Sequence, residues 1–168
     1  MKKIVAILIA AILAMSTGAL AATYTYPDCD FTFEYNEEFF EITMDDHTDD
    51  EDLVILTDKN EGGISIHLAD LEDGETFPTA EETAATWGVE VETMEKWGNF
   101  KNVLTFDLAS EDDVYEVVFL APVYDDDGEI DDVLTVKVTG KTIEDEETAM
   151  ESSDWTSEVV DSLKIIDD

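Results

Sequence analysis

The chain has 168 residues, 44 of them Asp or Glu against only 8 basic residues, all lysine, for a net charge of −36. With no arginine it lacks the bidentate forks that clamp phosphates, and its charge excludes nucleic acid and anionic membrane surfaces as partners. An apolar content of 44% rules out a disordered acidic tail.

The N-terminus carries the three parts of an export signal. Lys2 and Lys3 form a positive start, residues 4–15 (IVAILIAAILAM) an uninterrupted apolar run, and Ala19-Leu20-Ala21 a small-x-small cleavage site. The run falls short of the ~18–20 apolar residues that a spanning helix needs. Residues 1–21 are therefore expected to be a signal peptide, and residues 22–168 a single secreted, extracytoplasmic domain with no membrane span. The only cysteine, Cys29, follows Tyr26-Pro27-Asp28 rather than a lipobox. It excludes an internal disulfide and leaves either a free thiol or an intermolecular bridge.

Short alternating segments dominate the rest of the chain. Phe31, Phe33 and Tyr35 define one face of a strand, and residues 39–44 a second strand that leads into an acidic turn over residues 45–52. Residues 53–57 and 63–69 flank Asp58-Lys59-Asn60-Glu61-Gly62 as a hairpin, with Ile64, Ile66 and Leu68 on one face. The period then changes. Thr79 as cap and Glu82 three residues on make a capping box, and Gly88 ends the helix after Trp87. Residues 89–97 are ambiguous. Residues 101–109 alternate around Leu104, Phe106 and Leu108, and residues 114–123 hold an apolar run (117–121) that suits a central strand covered on both sides. After the acidic run at 125–129, residues 133–139 place Leu134, Val136 and Val138 inward. A closing helix over residues 148–163 aligns Trp155, Val159 and Leu163. The order predicts an α+β fold: an antiparallel β-sheet of about six to eight strands with two helices packed on it. A β-sandwich or small barrel with peripheral helices is the alternative.

The aromatic hairpin of residues 31–40, the Gly62-Gly63-Ile64-Ser65-Ile66 return strand, the Thr79-Ala80-Glu81-Glu82 helix start and the closing Val160-Asp161-Ser162-Leu163-Lys164 together resemble the PsbP-like domains. The resemblance implies an α-β-α sandwich that works as an adaptor or accessory subunit without catalysis of its own. None of these positions matches a functional motif of that family, so no site residue is carried over.

Two acidic runs offer hard oxygen ligands for Ca²⁺. In the first, Asp125, Asp127, Glu129 and Asp131 surround Gly128, but Val123 and Leu134 stand where an EF-hand loop needs its first ligand and its bidentate glutamate. An Asp-Gly hairpin turn accounts for the same residues. In the second, residues 45–52 (Asp-Asp-His-Thr-Asp-Asp-Glu-Asp), Asp45, Asp46, Asp49 and Asp50 surround His47, which would also admit a transition metal; a solvated loop is the plainer reading. His47 and His67 lack the helical spacing of zinc hydrolases. Gly-x-Ser-x-Gly elbows, phosphate loops and thiol-enzyme signatures are absent, and with 44 acids a carboxylate pair arises by chance. The reading is a non-enzymatic, strongly acidic binding or accessory domain whose partner is a protein or a cationic ligand. No cofactor is required. A Ca²⁺- or divalent-cation-binding protein is the second reading, and a secreted hydrolase with a carboxylate pair the third.

Overall fold

The computed structural model describes residues 21–166 except 26–28, 49, 61, 73, 109–113, 126 and 142–145, with no side-chain description for 141 and 146–153. Residues 1–20 of the expected signal peptide (residues 1–21) and Asp49 therefore lie outside the described residues. Among those described, the elements are β1 (Ala22–Tyr24), β2 (Phe31–Tyr35), β3 (Phe40–His47), β4 (Glu51–Asp58), β5 (Gly63–Asp70), α1 (Ala80–Trp87), β6 (Glu92–Trp97), β7 (Phe100–Leu108), β8 (Val114–Tyr124), β9 (Ile130–Lys141), α2 (Glu146–Ser162) and β10 (Lys164–Ile165).

Seven strands form one antiparallel sheet in the order β3-β4-β5-β9-β8-β7-β6, and β1-β2-β10 form a second, three-stranded sheet. The fold is α+β, as the alternation predicts, with two corrections. Residues 31–35 and 39–44 are not a hairpin: β2 pairs with β1 and β10, whereas β3 pairs with β4. Residues 45–52 are not one acidic turn either, because β3 continues to His47 and β4 begins at Glu51. The cross-strand pairs Asp45↔Val54 and His47↔Asp52 carry the ladder through residues that composition alone assigns to a loop.

The core follows from register. Val54, Ile66 and Val136 align across β4, β5 and β9, as do Leu68 and Leu134, and all are buried. This inner face packs against Phe31 and Phe33 of the small sheet and Val159 and Leu163 at the end of α2. Completely burying a side chain of this size contributes about 1.5–3 kcal/mol, which makes the small sheet and α2 a lid over the larger sheet. The outer face of β7 and β8 carries Phe106 and Val118. There α1 lays Trp87 5.9 Å from Phe106, although Trp87 stays 56% exposed rather than packing fully. The predicted capping box at Thr79 and Glu82 is present, and Gly88 closes the helix at φ 68°.

Candidate metal centre

A β-bulge shapes the one cluster of unlike donor atoms found among the described residues. In β3 the register shifts between Ile42 and Met44. Before the shift Phe40 and Ile42 turn toward the core; after it, Asp45 and His47 share the side of Val54 and Asp52, while Met44 and Asp46 turn outward. An extra residue in one strand reverses the phase of every side chain beyond it. His47 thus enters the space beneath the small sheet, where Cys29 precedes β2 and Tyr24 ends β1.

One donor atom from each of Cys29, His47 and Asp52 lies within 4.8 Å of the other two. His47 Nδ1 is 2.7 Å from Asp52 Oδ1, and His47 Nε2 is 2.6 Å from Asp45 Oδ1. Tyr24 donates its hydroxyl to the same Asp45 oxygen at 2.6 Å. The Asp30 backbone N–H donates to Asp52 Oδ2 at 2.7 Å and fixes that carboxylate. The side chains of His47 and Asp52 are 7% and 5% exposed, and that of Asp45 is 36% exposed.

Burial and charge act on each group. Burial pushes the Cys29 thiol up to about 12, helped by the negative charges of Asp52 and Asp30. Its hydrogen bond to the Phe31 carbonyl, at 3.3 Å, suits a protonated thiol. Burial works against a charged His47, but the hydrogen bonds that its ring donates to Asp52 and Asp45 outweigh it and raise its pKa. Burial first, and Asp45 second, hold Tyr24 far above its ordinary range, so it remains a donor.

This arrangement sets both ring nitrogens of His47 against carboxylates. It has the parts of a metal centre. Cys29 Sγ, a ring nitrogen of His47 and a carboxylate oxygen of Asp52 are the inner donors. Asp45 stands behind the imidazole on Nε2, the carboxylate–histidine pairing that orients metal-binding rings. A mixed S, N, O set favours Zn²⁺ and similar borderline cations over Ca²⁺ or Mg²⁺. Around tetrahedral zinc, donors stand about 3.3–3.5 Å apart. His47 and Asp52, 2.7 Å apart, would have to give up the proton between them and separate to hold such a cation together with Cys29.

The acidic runs look different. Asp46 and Asp50 are exposed, and Asp46 lies on the opposite face of β3 from His47. Asp125 spends its carboxylate on its own turn: Oδ1 accepts from the Glu129 N–H at 2.8 Å, and Gly128 takes φ 82°. Asp127, Glu129 and Asp131 are exposed, with Asp131 on β9. Of the expected ligands that are described, His47 is in the centre and Asp45 stands behind it. Cys29 goes unnoticed in the sequence as a ligand, and Asp52 is legible only as the last acid of the run 45–52, which the β3–β4 pairing sets opposite His47. No protein-family profile, characterised protein or solved structure matches the chain.

Proposed function

We propose that the chain is an exported, non-enzymatic, acidic binding domain whose ligand is a divalent transition-metal cation, held by Cys29, His47 and Asp52. The observation that carries this reading is the convergence of three unlike donors with a second carboxylate behind the imidazole. Two further features support it. The surrounding acids draw cations toward the site, and Asp45 is the part of the cluster open to solvent. Binding expels the thiol proton, since the metal takes the thiolate. Among the described residues no helix is long and apolar enough to cross a membrane.

Cobalt provides the test. Cys29 is the only cysteine, so a thiolate-to-Co²⁺ charge-transfer band can come from no other residue. Equimolar Co²⁺ is expected to produce that band, and Zn²⁺ to abolish it by displacement. Zn²⁺ at 100 times its Kd should add about 2.7 kcal/mol to stability. Cys29→Ser and His47→Ala should lose both effects. A Zn²⁺ stabilisation that survives in both variants would assign the metal to the general acidic surface and sink the proposal.

A further inference from the structure

The second feature is a cleft in the sheet. β7 and β8 pair from Leu108↔Glu116 as far as Leu104↔Leu120, and there their ladder stops. Asn102 takes φ 56°, a left-handed conformation that is uncommon for a residue with a side chain. Pro122, opposite, has no N–H to offer a ladder. The strands part into a pocket of about 430 Å³ lined on one side by Asn99, Phe100 and Lys101, on the other by Val123 and Tyr124, and closed by Lys164. Asn102 Nδ2 donates to the Tyr124 hydroxyl at 3.1 Å across the mouth. Strained backbone of this kind persists where the surroundings hold it, commonly at ligand sites.

Charge makes the cleft unusual in this chain. Lys101 and Lys164 line it, and Lys96 stands directly opposite Lys101 in the β6–β7 ladder. Like charges directly opposite each other destabilise a strand pair. These are three of only eight lysines, yet with 44 acids in the chain none of the three forms a salt bridge among the described residues. Lys137, by contrast, lies 3.6 Å from Glu116. Concentrating unpaired cations around an apolar floor of Phe100 and Val123 is the arrangement that receives an anionic head and an apolar body.

We propose that the cleft between β7 and β8 is a binding site for a small amphiphilic carboxylate, its carboxylate held by Lys101 and Lys164 and its apolar body lying on Phe100, Val123 and Ile165. The volume falls in the range of small-molecule pockets, about 300–1,000 Å³. The surrounding negative field disfavours polyanions, which selects a ligand of single charge. This site is independent of the metal centre, so either proposal can fail alone.

The probe is 4-phenylbutyrate, compared with its uncharged amide by calorimetry and by amide chemical shifts. The carboxylate is expected to bind saturably and to move the signals of Lys101, Tyr124 and Ile165 while leaving Trp87 in place. The amide should bind at least about tenfold more weakly. The variant Lys101→Gln/Lys164→Gln should lose affinity to the same degree, whereas Lys59→Gln/Lys137→Gln, with the same net charge, should not. Equal binding of acid and amide, shifts elsewhere, or no binding would overturn the proposal. Equal loss in both lysine variants would do so too, by reducing the effect to net charge. The chemical-shift map of the unmodified protein decides the matter if the lysine variant fails to fold.

Discussion

At the scale of single residues, acids crowd one end of the inner face. Asp132 stands opposite Asp70 across β9 and β5. Partial burial raises its pKa to about 6 from an ordinary 3.8, and the charges of Asp70, Asp131 and Asp30 push the same way. The folded state therefore binds a proton that the unfolded chain has released between pH of about 4 and 6. Stability from this group is present below that window and is lost as pH rises through it. Asp132→Asn removes the penalty at neutral pH. With the group still partly in water, the effect should be about 1 kcal/mol, or a rise in Tm of about 2–4 °C at a pH of about 7. At a pH of about 4 the variant and the parent should melt together. A Tm at neutral pH that is unchanged or lower would mean that the crowding is relieved by solvent or by a bound cation.

Among the elements, the strands with one wet face were the easiest to read. Ile64, Ile66 and Leu68 are buried on β5 as their spacing demands, and Leu134 and Val136 likewise on β9. The helix at Thr79 was legible because capping is local chemistry, settled within four residues. What the pattern hid was the β3 bulge. Strict alternation carries Phe40 and Ile42 on to Met44 and Asp46, whereas the bulge hands the inner face to Asp45 and His47. A bulge depends on the partner strand, so no local signal announces it. Asp52 faces His47 across the β3–β4 hairpin, but Cys29 meets them only because two sheets stack, and that is a long-range fact. The β4–β5 hairpin is tight for a steric reason. A Cβ at Gly63 would lie 2.5 Å from the Leu56 carbonyl oxygen of the paired strand. Gly63→Ala has to push backbone rather than a side chain and should cost about 1–3 kcal/mol. Denaturant unfolding measures this as a lower midpoint at unchanged slope; a cost below a few tenths would show that the hairpin yields freely.

For the whole molecule the governing quantity is charge. Residues 22–168 hold all 44 acids against six lysines. Spread over roughly 7,500 Å² of surface for a domain of this size, the excess charges stand about 14 Å apart. That distance lies inside the screening length of about 30 Å at 0.01 M salt and beyond the length of about 8 Å at 0.15 M. Repulsion across the surface is therefore strong in dilute buffer and mostly gone in saline, and NaCl alone should raise Tm over that range. Calcium adds a sharper question, because both acidic runs invite it by composition. Asp125 already holds the Glu129 N–H, and Asp46 and Asp50 point to solvent, so neither run presents converging free carboxylates among the described residues. CaCl₂ should then stabilise the protein no more than NaCl at equal ionic strength, while Zn²⁺ at far lower concentration should exceed both through Cys29, His47 and Asp52. Melting curves in the three salts separate screening from binding. A calcium increment that disappears in Asp125→Ala would restore the β8–β9 turn as a calcium site. Its absence would leave the acidic surface as a shell that salt merely screens.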